Sequence, residues 1–168
     1  MIEKIKIPTN IQININSDLI EIKGKLGMLS LSIPTDISIK YDATYIYLYS
    51  NNKALLGTFI SNFTRSLKGV SQGFVVKLQL VGIGYKFLEA TSVLKLKVGF
   101  SHKMMCKIPE NLKITILKPN LISISGINYQ EINHFADIIR SVKTPEVYKG
   151  KGIKYLDEKI ILKETKKK

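Results

Sequence analysis

The segment "KIPTNIQININSDLIEIKG" (6–24) returns later in the chain as "KIPENLKITILKPNLISISG" (107–126). Ile7, Pro8, Asn10, Ile11, Ile13 and Ile15 match Ile108, Pro109, Asn111, Leu112, Ile114 and Ile116 at a constant offset of 101. After one inserted residue, Ile20, Ile22 and Gly24 match Ile122, Ile124 and Gly126 at 102. Self-similarity of this kind means one folding plan used twice. It divides the 168 residues into two halves of about 80 each, near the lower limit for an independent core. The expected domains are 1–75 and 76–168, with the seam near residues 73 to 82.

Periodicity supplies the elements. In each repeat, isoleucines alternate with polar residues on either side of a turn, at Asn16 to Asp18 in the first and at Lys118, Pro119 and Asn120 in the second. This is the pattern of a hairpin with one buried face. Further strands are predicted at 37–41, 45–49, 74–81, 85–90, 94–100 and 104–108. Leu56, Phe59, Ile60, Phe63 and Leu67 recur at helical spacing, with Asn52 as N-cap and Gly69 as the stop. Ile132, Phe135, Ala136 and Ile139 do the same after a capping box of Asn128 and Glu131, and Pro145 forbids continuation. The expected fold is α+β: two duplicated domains, each a mainly antiparallel sheet packed against one helix.

Charge is spread unevenly between the halves. Of the formal +13, residues 1–75 hold 8 basic and 5 acidic side chains, whereas 76–168 hold 18 and 8. An excess of this size points to an anionic partner, such as nucleic acid or an acidic membrane surface, or serves plain solubility. No apolar run approaches the roughly 18 to 20 residues of a membrane span, so a soluble chain is expected. "MIEKIKIPTN" carries neither a secretory core nor an arginine-rich presequence; either the chain stays where it is made or a presequence was removed.

Chemistry-bearing constellations are sparse. His102 and His134 fall on different elements, and Cys106 is the single cysteine, placed in an apolar strand where thiols are inert. No metal centre, cofactor site or enzyme is predicted. "GIGYKF" (82–87) has Phe87 where a dinucleotide fingerprint needs its third glycine. Gly82 and Gly84 are expected to mark a turn or bulge instead.

The densest signal is "TPEVYKGKGIKY" (144–155). Lys149, Lys151 and Lys154 place ammonium groups around Gly150 and Gly152, whose missing side chains open the backbone to close approach. Lysines neutralise phosphates, and exposed amides donate to phosphate oxygens. Tyr148 and Tyr155 either stack on unpaired bases or anchor the loop. From Tyr148 onward there are eight lysines against Asp157, Glu158 and Glu164, so the terminal run is either a solvated tail or an extension of this basic strip. Lysine without arginine favours phosphate contact over base readout. A basic module docking on acidic protein or lipid surfaces is the alternative.

"PEVYKGKGIKYLDE" (145–158), "LVGIGYK" (80–86) and "GFSHK" (99–103), with "IPEN" (108–111) opening the second repeat, resemble the universal large-subunit ribosomal protein number six family along essentially the whole chain. The resemblance implies a structural constituent of the large ribosomal subunit. It binds ribosomal RNA mainly through the second domain, near the stalk base and the sarcin-ricin region, with neighbouring ribosomal proteins as further partners. Contacts carried over fall on Lys149, Gly150, Lys151, Gly152 and Lys154, with Ser101 and His102 as lesser members. The family's bacterial branch opens with an arginine- and glycine-containing segment that "MIEKIKIP" lacks, and its first helix often carries histidine and arginine where Leu56 and Ile60 stand. With the isoleucine, lysine and asparagine bias of an AT-rich gene, this places the expected ribosome in the mitochondrial matrix, with a plastid or the bacterial cytoplasm as alternatives.

Overall fold

Six strands and a helix, given twice in the same order, make up this computed structural model, which describes residues 2–16, 18–42 and 44–164. The first set is β1 (Ile2–Lys6), β2 (Gln12–Ile15), β3 (Leu19–Lys23), β4 (Met28–Ser32), β5 (Ile37–Tyr41), β6 (Tyr45–Ser50) and α1 (Lys53–Gln72). The second is β7 (Phe74–Val81), β8 (Lys86–Ala90), β9 (Val93–Lys97), β10 (Met104–Lys107), β11 (Leu112–Lys118), β12 (Leu121–Gly126) and α2 (Tyr129–Val142), and β13 (Gly152–Tyr155) follows. The chain divides into two compact units. One ends at Gly73 and takes in Ile127–Tyr129; the other holds Phe74–Gly126 and everything from Gln130.

Each unit is α+β and its strand pairings are antiparallel, but each carries two sheets where one was expected. The first unit has sheets in the order β2-β3-β4 and β1-β6-β5. The second has β10-β9-β8 and β11-β12-β7-β13, the same plan with one added edge strand. Two packed layers are how elements with single apolar faces cover one another.

This plan re-registers the repeat. By element order and sheet membership, β11 and β12 correspond to β5 and β6, not to β2 and β3 as the offset of 101 implies. The true counterpart of "IPENLKI" (108–114) is "IPTDISI" (33–39), at an offset of 75. Three equivalent turns explain the substitution. Backbone amides of Ile11, Ile37 and Leu112 donate to the carbonyls of Pro8, Pro34 and Pro109 at 3.2, 3.0 and 3.1 Å, and each turn leads into a strand. Even the cross-strand pairs coincide: Ile13 faces Ile22 and Ile15 faces Ile20, as Ile114 faces Ile124 and Ile116 faces Ile122. The inserted residue falls at a bulge in β11 between Ile116 and Lys118. A local hairpin signature was therefore shared by strands that sit in different sheets.

Both helices follow their apolar spacing. Asn52 Oδ1 caps α1, accepting from the amides of Ala54 and Leu55 at 3.1 and 3.3 Å. Leu56, Phe59, Phe63, Leu67 and Val70 bury one face against Ile20, Ile22, Ile46 and Leu48. The predicted stop at Gly69 is wrong: Gly69 is buried inside the helix, which runs on because Val70, fully buried, still belongs to the core. Gly73 ends it, with φ of 75° and its amide donating to the Gly69 carbonyl at 2.9 Å. Along α2, Ile132, Phe135, Ala136 and Ile139 are buried, and the helix closes at Val142, ahead of Pro145.

Three strands were not anticipated, β1, β4 and β13. The stretch expected at 94–100 is shorter, ending at Lys97, and Gly82 and Gly84 lie in a turn after β7. The lysines at 166–168 and Ser17 lie outside the described residues. Among the described residues, no helix is long and apolar enough to cross a membrane.

Candidate nucleic-acid interface

The glycine and lysine segment is a closed loop feeding an edge strand. After α2 the Lys143 carbonyl accepts from the Ile153 amide at 2.8 Å, and the Glu146 amide donates to the Lys151 carbonyl at 2.9 Å, pinching residues 146–151 into a turn. The Gly150 amide closes it on the Glu146 carbonyl at 2.9 Å. Then β13 pairs with β7, Gly152 opposite Val81 and Ile153 opposite Leu80, with Ile153 fully buried.

Gly150 and Gly152 are buried, so the expectation that they present bare backbone at the surface is corrected. Gly152 is needed internally. Its φ is +148°, and a Cβ there would lie 2.6 Å from the Thr144 carbonyl oxygen and 2.7 Å from Pro145 Cα. The glycine lets the loop's two ends close on each other. The lysines point elsewhere: Lys149 is exposed, and Lys151 and Lys154 are partly buried, as long stems that keep their ammonium groups in water often are.

Behind the loop a polar staple fixes β13. Arg140 on α2 makes a forked contact with Glu158, Nη2 to Oε1 at 2.7 Å and Nε to Oε2 at 3.3 Å. Glu158 Oε2 also accepts from the Tyr155 amide at 3.1 Å, and the Tyr155 hydroxyl donates to Asp137 Oδ1 at 2.7 Å. The Tyr155 ring packs against the core with Arg140 6.0 Å from its centroid. Of the two roles open to the tyrosines, Tyr155 is therefore the anchor. Tyr148, half exposed, has its ring available.

The staple leaves a titration signature. Arg140's hydrogen bond is the main reason Glu158's carboxyl is held below its ordinary range. Burial first, and then the bond to Asp137, pushes the Tyr155 phenol up to about 12 from 10.0. Because that value is raised on folding, the stabilisation is full below pH 10.0 and is lost as pH rises through about 12. Tyr155→Phe is expected to cost about 1 kcal/mol at neutral pH, the net worth of one such hydrogen bond, and to abolish the alkaline step. Denaturant midpoints measured from pH 7 to 12 check this; an unchanged alkaline slope refutes it.

The other blocks gather at the same end of the second unit. Beyond Val81 the chain turns through Gly82–Gly84, placing Ile83 at the apex, 95% exposed. The Tyr85 ring fills the space between Gly82 and Gly99: a Cβ on either would stand 2.9 Å from it. Next to Gly99, the rings of Phe100 and His102 stack at 6.1 Å, and Lys143 Nζ lies 5.3 Å from the Phe100 centroid. Ser101 and His102 are both exposed, and this contact ties their loop to the segment that leads into the lysine loop. Phe100, Lys143 and Ile83 were not singled out from sequence; only their adjacency to the motifs could have drawn attention to them. Cys106 is buried, its thiol pushed up by that burial, and His134 is exposed on α2. Among the described residues, no group of three or more His, Cys, Asp or Glu is arranged to hold a metal ion.

A duplicated α+β chain whose motifs converge on a stapled, lysine-bearing loop end is a structural protein and not an enzyme. Residues 81–156, which span that end, match the family model described as Ribosomal protein L6. The chain is 38% identical to the large ribosomal subunit protein uL6 of Rhodospirillum rubrum over 169 residues, covering 98% of this chain and 96% of the relative. The protein of that name from Nitrosospira multiformis gives the same values, and that from Mycoplasmopsis pulmonis is 40% identical over 97% and 94%. This chain belongs to the ribosomal protein L6 family.

Proposed function

We propose that this chain is a structural constituent of the large ribosomal subunit and grips ribosomal RNA mainly through the loop end of its second domain. The two domains follow the repeat division at 1–75 and 76–168. One observation carries the reading: three separated motifs meet at one end, where the loop backbone is locked internally while Lys149, Lys151 and Lys154 remain free to meet phosphate. A pre-ordered loop loses little freedom on binding. Tyr148, Ser101 and His102 complete the contact surface, and Gly150, Gly152 and Tyr155 shape it from within. The family resemblance directs this end to the stalk base and the sarcin-ricin region, with neighbouring ribosomal proteins as additional partners.

Replacing Lys149, Lys151 and Lys154 together by alanine is expected to weaken binding to a large-subunit RNA fragment. The slope of log affinity against log salt is expected to fall by about 2 to 3, since each lost phosphate contact removes roughly 0.7 to 0.9. An unchanged slope rejects these residues. Anionic vesicles and acidic peptides that compete as well as the RNA fragment establish the alternative, a general basic docking module. The relatives named above are bacterial, which favours a bacterial-type ribosome and the bacterial cytoplasm. The mitochondrial expectation rests on composition and gains no support from them.

A further inference from the structure

A second surface with nucleic-acid chemistry lies in the first unit, on the β1-β6-β5 sheet. Ile46 and Leu48 turn one face of β6 to α1, so Tyr45, Tyr47 and Tyr49 share the opposite face. The antiparallel registers add Lys6 beside Tyr45 and both Lys4 and Lys40 beside Tyr47. The ammonium groups already lie on the rings. Lys4 Nζ is 3.7 Å from the Tyr45 centroid and 5.7 Å from that of Tyr47, and Lys40 Nζ is 5.8 Å from that of Tyr49. None of the three tyrosines belongs to the core cluster, and all are partly exposed. No carboxylate stands on this face within the paired registers; Asp42 follows just outside them.

The fold does not demand this stripe. In the second unit β12 occupies the place of β6, and the positions of Tyr45, Tyr47 and Tyr49 are filled by Leu121, Ser123 and Ser125. The same sheet is thus built without aromatic rings, and the tyrosines call for another explanation. Alternate residues on a strand stand about 6.8 Å apart, a row of rings in series, and aromatic rows on open sheets are a common means of stacking successive unpaired bases. Base stacking outweighs an exposed cation–π contact, so an arriving base displaces the lysine, which is left beside the adjoining phosphate.

We propose that this face binds an unpaired RNA segment, with bases on Tyr45, Tyr47 and Tyr49 and phosphates on Lys4, Lys6 and Lys40. The inference concerns a different unit and different residues from the loop end, so the two stand or fall separately.

The test is titration of the full chain, tyrosine rings isotope-labelled, with a nine-nucleotide uridine RNA, followed by NMR. The ring signals of Tyr45, Tyr47 and Tyr49 are expected to shift, and heparin, a polyanion without bases, is expected to leave them nearly still. Tyr47→Ser, which copies Ser123 of the sister sheet, is expected to weaken binding at this face about tenfold; Tyr47→Phe retains it. Lys4, Lys6 and Lys40 changed to glutamine lower the salt slope by about 2. Rings that stay still at saturating RNA, or that heparin shifts equally, overturn the proposal. So does a folded Tyr47→Ser variant with unchanged affinity. Crosslinking of these tyrosines to a protein neighbour in assembled subunits, with no shift on RNA, also overturns it and assigns the face to protein.

Discussion

Gly152→Ala is expected to destabilise the second unit by about 4 kcal/mol, combining the cost of an unfavourable backbone conformation with that of overpacking. The added methyl group meets main-chain atoms of Thr144 and Pro145, which cannot rotate aside as a side chain would. Relief requires the loop neck to open, which breaks the bond from Ile153 to Lys143 and the first pairs of β13 with β7. Gly150→Ala is the internal control. Its φ is +66°, yet a Cβ there meets only Leu162 Cδ2, at 3.5 Å, so about 1 kcal/mol is expected from the left-handed backbone alone. Denaturant unfolding followed by circular dichroism measures both. Equal effects at the two glycines refute the account of close approach. The functional corollary is that Gly152→Ala weakens RNA binding while removing no charge, because Lys154 lies on the strand that comes loose.

Phe63→Ala is expected to cost about 4 kcal/mol in the first unit, within the range for deleting a buried aromatic side chain. Phe63 is fully buried on α1, its ring 6.4 Å from that of Phe59, among isoleucines of both sheets of that unit. Backbone on two sides limits collapse into the space left behind. Hydrogen exchange should quicken throughout β3, β6 and α1. A loss below about 1 kcal/mol, the scale of an exposed substitution, contradicts the central position of this residue. Together the two variants test the division of the chain into units: exchange in β7 and β13 should respond to Gly152→Ala, and that in β6 to Phe63→Ala.

Much of the fold was legible in the sequence, because the signals involved are local. The spacing of Leu56, Phe59, Phe63 and Leu67 identified the buried face of α1. Asn52 marked its start, since a side-chain acceptor two and three residues ahead of unpaired amides is a short-range device. Its end was misplaced at Gly69 because a glycine reads alike from sequence whether it stops a helix or lies buried within it. The burial of Val70 decided that, and burial depends on what the rest of the chain brings alongside. The binding end was legible as charge and motif order. The staple of Arg140, Glu158, Tyr155 and Asp137 was not, because its members come from α2 and from the turn after β13 and meet only when both pack.

The amino-acid sequence by itself determined which residues face inward along each strand and helix, that one plan is used twice, and that positive charge collects toward the carboxyl end. Alternation and helical spacing are consequences of backbone geometry within a few residues, so no partner is needed to read them. Tertiary structure alone decided that "IPENLKI" answers to "IPTDISI" and not to the segment after Lys6, that Gly150 and Gly152 serve the interior, and that three tyrosines line one open sheet face. Strands pair through backbone groups that nearly all residues possess alike. A side-chain pattern therefore states which face is buried, and only the assembled sheets state which strand lies next to it.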